Sequence, residues 1–133
     1  MLNGGAITWL SKKQTCVTLS TMESEFVACT LAVQEAIWLK RFFEDLNLVS
    51  YASGPVTVFC DSTAALDFIK DPKYHGRTKH IDLRTCFIRE NVANNEVILK
   101  YLPTDQMIAD PLTKPIPKEA FQRHVRSLGL RRV

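Results

Sequence analysis

No apolar run in these 133 residues approaches the roughly 20 of a membrane span, and no charged start followed by an apolar core marks a secretory signal. No Cys-X-X-Cys pair occurs. The four cysteines, Cys16, Cys29, Cys60 and Cys86, are separated by long, irregular gaps, whereas zinc modules bring their ligands in close pairs. They read as reduced, mostly buried thiols in a reducing, intracellular compartment. No repeat and no low-complexity tract is present, and 5 Gly with 6 Pro exclude a collagen-like chain. Charge of one sign is also lacking. Lys and Arg number 17 against 14 Asp and Glu, and a net +3 permits a nucleic-acid partner without arguing for one. What remains is 46% apolar and 23% charged, the balance of one globular domain.

Ala6 to Leu10 and Thr15 to Leu19 are short runs of β-formers around polar Ser11-Lys12-Lys13-Gln14, and read as one bent strand or a hairpin. Met1-Leu2-Asn3-Gly4-Gly5 leads straight into them, as when a longer chain is cut in the middle. Ser20-Thr21-Met22-Glu23 is a capping box that predicts a long helix to about Leu46. Its apolar stripe is Met22, Phe26, Cys29, Val33, Ala36, Ile37 and Phe43. Asn47 to Pro55 reads as a loop, and Pro55 to Asp61 as a buried strand ending in an acid. Ser62 to Lys70 reads as a short helix stopped by Pro72. Lys73 to His80 is a loop, Ile81 to about Ala93 a third helix, and Val97 to Leu102 a strand. Thr104 or Asp105 is expected to cap a helix holding Met107 to Asp110, which Pro111 distorts. Lys118 to Leu128, after a linker with Pro115 and Pro117, is a last helix closed by Gly129. Strands alternating with helices predict an α/β fold, a mixed sheet flanked by helices. Trp9 and Trp38 read as core residues rather than stacking platforms.

Three carboxylates sit where a core would not want them. At about 100° per residue, Glu25 falls at the angle of Phe43, on one edge of the apolar stripe, while Glu23 lies outside the other edge. Glu25 therefore borders the sheet, where a lone buried carboxylate needs a partner. Asp61 ends a strand expected to be central, and open α/β sheets bind ligands outside the carboxyl ends of their strands. It reads equally as an N-cap for the next helix. Asp110 reads as an early-helix acid, or as an ordinary surface acid. Converging carboxylates repel one another unless cations hold them, and hard oxygen ligands select Mg²⁺ or Mn²⁺. Two such ions about 4 Å apart would clamp an in-line attack on a phosphodiester.

Ala6-Ile7-Thr8-Trp9-Leu10-Ser11-Lys12-Lys13-Gln14 and Leu19-Ser20-Thr21-Met22-Glu23-Ser24-Glu25-Phe26-Val27-Ala28 resemble the ribonuclease H domain of copia-type LTR-retrotransposon Pol polyproteins. So do Val58-Phe59-Cys60-Asp61-Ser62, Arg77-Thr78-Lys79-His80-Ile81-Asp82-Leu83-Arg84, Phe87-Ile88-Arg89-Glu90 and Ala109-Asp110-Pro111-Leu112-Thr113-Lys114-Pro115. The motifs come in the family's order over nearly the whole chain. The resemblance implies a ribonuclease H-like fold over residues 1–133. It also implies hydrolysis of the RNA strand of RNA–DNA hybrids during reverse transcription, with two Mg²⁺ (or Mn²⁺) ions held by an Asp-Glu-Asp-Asp set. Glu25, Asp61 and Asp110 match the Glu, the second Asp and the last Asp. Glu25 and Asp110 would serve as ligands on different sides of the metal pair, with Asp61 between them. The family's first Asp lies upstream of the Gly-Gly-Ala-Ile-Thr-Trp motif. The chain is thus expected to lack the first strand, most of the second and one bridging ligand, and to be inactive by itself. The missing strand would leave an open edge beside the strand ending at Asp61, with self-association as the expected consequence.

Lys12, Lys13, Arg77, Lys79, Arg84 and Arg89 are candidate phosphate contacts, which position a nucleic acid without reading its sequence. His80 belongs to the matched Thr-Lys-His-Ile motif and reads as a site residue or a hydrogen-bonded structural histidine. The implied partners are an RNA–DNA hybrid and a reverse transcriptase domain upstream in the same polyprotein, with no membrane. The implied location is a cytoplasmic virus-like particle or the nucleus. Two other readings stay open: a non-catalytic retrotransposon remnant, and a domesticated hybrid-binding or interaction module.

Overall fold

The computed structural model describes residues 4–15, 17–48, 53–71 and 79–130, the side chains of Lys79 and His80 excepted. They fall into two compact units, Thr18–Tyr101 and the pair of segments Met1–Val17 and Leu102–Val133.

The first unit begins with α1, Thr21–Asp45. Its N-cap is Ser20, whose extended backbone lets Oγ accept from the Glu23 amide at 3.2 Å. The Glu23 carboxylate returns to the Leu19 amide at 2.7 Å, one residue earlier than in the usual capping box. The predicted stripe is the packed face: Phe26, Cys29, Val33 and Ile37 are buried, and Met22, Ala36 and Phe43 half-buried. Asn47, at φ 57°, turns the chain after the helix.

Strand β1, Val56–Cys60, and strand β2, Val97–Tyr101, pair in parallel with Val56 opposite Val97 and Cys60 opposite Tyr101. Between them lie α2, Thr63–Lys70, and α3, Lys79–Ala93, which starts two residues before its predicted position. A parallel pair needs such a connection, because a tight hairpin reverses the strand direction. Val58 and Val97 pack against Val33 and Ile37 of α1. Cys60 packs in a second cluster with Phe26, Val27 and Cys29 of α1, Leu66, Phe68 and Ile69 of α2, and Ile88 of α3. The Phe26 and Phe68 rings meet edge to face at 5.0 Å. Lys40 reaches Glu96 at 2.6 Å, and that hydrogen bond holds the Glu96 carboxyl below the usual carboxylate range.

Arg89 of α3 is a structural residue, not the expected phosphate contact. Its guanidinium donates Nε–H to the Ile69 carbonyl at 2.7 Å and Nη2–H to Phe68 at 3.2 Å, with a further bond to the Asp71 carbonyl. These are orphan acceptors at the end of α2, where a fork of cationic donors is favoured.

In the second unit the Ala6 amide donates to the Leu128 carbonyl at 3.0 Å, just after α4, Lys118–Ser127. Gly129 closes α4 at φ +78°, and a Cβ there would come within 2.8 Å of Gly5 Cα, so both the turn and the close approach require glycine.

Several expectations are corrected. Residues 6–10 and 15–19 form no strand among the described residues. They have no ladder partner, and the two-stranded sheet is wholly parallel rather than mixed. Trp9 and Trp38 are not core residues: they are 69% and 59% exposed. The first lies on that unpaired segment, and the second on the side of α1 away from the stripe. The helix expected from Thr104 or Asp105 is two 3-10 turns, Thr104–Gln106 and Asp110–Leu112. Pro111 supplies no amide to propagate an α-helix. No described helix is long and apolar enough to cross a membrane.

Replacing Arg89 with Ala is expected to cost about 2 kcal/mol, because it strips charged donors from the end of α2. Lys at position 89, a single point charge, is expected to recover only part of it. Urea denaturation measures both.

Candidate functional site

The first unit holds two of the three acids around one thiol. Asp61 follows the last residue of β1, and Glu25 stands one turn into α1, next to Phe26 in the cluster that holds Cys60. Both carboxylates lie within electrostatic range of the Cys60 thiol, and both disfavour its ionisation. Each is half-buried.

Asp61 does not cap the next helix. That role belongs to Ser62, whose Oγ accepts from the Ala65 amide at 3.2 Å. One of the two readings of Asp61 is thereby removed.

In the same cluster lies a pair of thiols that spacing alone had not joined, since Cys29 and Cys60 are far apart in sequence. They hydrogen-bond to each other. That bond, with the Ser62 backbone, lowers the Cys60 pKa to about 7 against the opposing effects of burial, Glu25 and Asp61. Cys29 is pushed well above the ordinary thiol range by the same hydrogen bond, by burial and by the negative charges of Cys60 and Glu25. The Ser62 amide also approaches Cys60 Sγ at 3.4 Å. The signal for this pair was present in the sequence: Cys29 sits on the buried stripe and Cys60 at the end of the strand it covers.

Asp110 belongs to the other unit, in the second 3-10 turn, and is buried. Its carboxylate is paired with Lys114 Nζ at 2.9 Å, and its backbone carbonyl accepts from the amides of Thr113 and Lys114. It is therefore not the exposed surface acid that position alone suggests. In the same unit His124 is buried on α4, a residue that the sequence reading did not single out.

Among the described residues, no group of three or more His, Cys, Asp or Glu side chains is arranged to hold a metal ion. The donors of the Glu25–Asp61 pair are hard oxygens of the kind Mg²⁺ takes. Mg²⁺ needs only one or two carboxylates when waters and phosphate oxygens complete its shell. The adjoining thiols are soft and suit it poorly.

Of the candidate nucleic-acid contacts, Lys12 and Lys13 are exposed, and Arg84 is half-buried. Arg77 and the side chains of Lys79 and His80 lie outside the described residues, as do Cys16 and most of the 73–80 loop. Cys29 and Cys60 are buried as expected, whereas Cys86 is exposed.

Ser62→Ala is expected to cost about 1 kcal/mol as a lost cap. Asp61→Asn, which removes a charge near the Cys60 thiol without touching the cap, is expected to leave stability unchanged or raise it. Thermal melts of the two variants distinguish a capping Asp61 from a site Asp61.

The chain is 45% identical over 90% of its length to the Retrovirus-related Pol polyprotein from transposon TNT 1-94 of Nicotiana tabacum. It is 33% identical over 96% of its length to the Pol polyprotein from transposon RE2 of Arabidopsis thaliana. It is 28% identical over 92% to the Transposon Ty1-DR1 Gag-Pol polyprotein of Saccharomyces cerevisiae. It spans only 9%, 9% and 7% of the lengths of these three relatives. No protein-family model matches the chain, and no solved structure matches it. Its homologues are retrotransposon Pol polyproteins of the copia and Ty1 type, and it corresponds to a short segment of them.

Proposed function

We propose that the chain is the ribonuclease H segment of a copia-like Pol polyprotein, and that its site serves hydrolysis of the RNA strand of RNA–DNA hybrids. The observation that carries this reading is that Glu25 and Asp61 both act electrostatically on the Cys60 thiol at the carboxyl end of β1. Carboxylate oxygens are the donors Mg²⁺ takes, and the N-cap of α2 is Ser62 rather than Asp61. The parallel β1–α2–α3–β2 arrangement is compatible with a ribonuclease H-like fold. The likeness to Pol polyproteins supplies the context in which such an activity is needed.

Glu25 and Asp61 would hold Mg²⁺, or Mn²⁺ in its place. A divalent ion there supplies charge neutralisation for a scissile phosphate and an acidified water. The chain's own residues do the rest. Packing between α1 and β1 would limit how far the two carboxylates must move when phosphate arrives. The exposed Lys12 and Lys13, with Arg77, Lys79, His80 and Arg84, would hold the hybrid by its backbones.

The test is cleavage of an RNA–DNA hybrid in Mg²⁺. The chain by itself is expected to cleave no faster than background. Joined to the polyprotein sequence that precedes the matching segment in a relative, it is expected to cleave, and to lose that activity in Asp61→Asn or Glu25→Gln. Cleavage that survives Asp61→Asn would overturn the assignment.

A further inference from the structure

Two nucleophilic side chains are not used by the proposed cation site. Cys29 and Cys60 are 5% and 6% exposed and belong to one apolar cluster, the first on α1 and the second at the last position of β1. Their side chains hydrogen-bond to each other. Two thiols in such contact lie within a short approach of S–S bonding distance, about 2.05 Å. The backbone after β1 helps to hold one of them, because the Ser62 amide donates to Cys60 Sγ at 3.4 Å.

The surroundings select the oxidant. Phe26, Leu66, Phe68, Ile69 and Ile88 pack in the same cluster as the two sulfurs. A bulky disulfide such as oxidised glutathione reaches so buried a pair only if the cluster unfolds, whereas a small neutral peroxide needs only a local opening. Cys86, exposed on α3, is open to either.

We propose that Cys29 and Cys60 are a redox-active dithiol that a peroxide closes into a disulfide, fastening α1 to the carboxyl end of β1. Cys60 Sγ attacks one peroxide oxygen, the O–O bond breaks, and the thiol proton leaves with the other oxygen as water. Cys60 is then a sulfenic acid. Cys29 Sγ attacks the Cys60 sulfur, the S–O bond breaks, and a second water carries off the Cys29 proton. The two thiols lose two electrons and one peroxide gains them. The cross-link closes a loop of about 30 residues, which narrows the unfolded ensemble and stabilises the fold. A thiol reductant reverses it by exchange. The bond forms whether or not Glu25 and Asp61 hold a cation.

Hydrogen peroxide treatment of the full chain carrying Cys16→Ser and Cys86→Ser tests this, read by intact mass and non-reducing peptide mapping. The expected product is a single chain lighter by two hydrogens, with Cys29 and Cys60 in one linked peptide. It is expected to melt roughly 5 °C or more above the reduced chain, and dithiothreitol to return both mass and melting point. Cys29→Ala in the same background is expected to gain oxygen at Cys60 instead and to lose the rise. A pair that stays reduced at peroxide concentrations that oxidise Cys86 of the unaltered chain would overturn the proposal. So would a Cys29–Cys60 bond that appears only between two copies, or one that lowers the melting point.

Discussion

The contact between the first turns of α1 and the carboxyl end of β1 is the constraint on which the site depends. Phe26 and Cys29 come from the helix, Cys60 from the strand, and Phe68 closes the cluster from α2. Close packing leaves these side chains little freedom to slide. Glu25 and Asp61 are the immediate neighbours of Phe26 and Cys60 in the chain. The apolar contact therefore determines where the two charges stand. Both charges act on the same thiol, Cys60.

The same cluster combines two kinds of chemistry. The thiols are buried and joined by a mutual hydrogen bond. Soft thiols are poor ligands for a hard cation. The two-stranded sheet is not a self-sufficient unit, and its stability comes from the helices packed on it. Phe59, on the face of β1 away from the core clusters, is exposed, unlike a strand inside a sheet covered on both sides.

Much of the first unit was legible in the sequence because its signals are local and agree with one another. Ser20 and Glu23 begin α1, the stripe from Phe26 to Ile37 faces the core, and Asn94-Asn95 ends α3 with Asn95 in the left-handed region. Glu23 is used as a capping residue, as its place in Ser20-Thr21-Met22-Glu23 indicates. The errors lie where a partner outside the segment decides the structure. A run such as Ala6 to Leu10 has the composition of a strand, but composition cannot supply a ladder. Trp38 was assigned to the core on its size, although its angle on α1 places it opposite the stripe. Arg89 was read as a phosphate contact because nothing in the sequence shows that the end of α2 lies beside it. The Asp110–Lys114 pair was readable as i, i+4 spacing, yet Pro111 turned an expected helix into a 3-10 turn.

The central claim is that Glu25 and Asp61 act as one cation site. Carboxyl ¹³C NMR during a Mg²⁺ titration of the intact chain tests it most directly. The two resonances should shift together along one saturation curve, while the capping carboxylate of Glu23 stays still. If Asp61 responds without Glu25, or neither responds before Glu23, the two acids are not a common site.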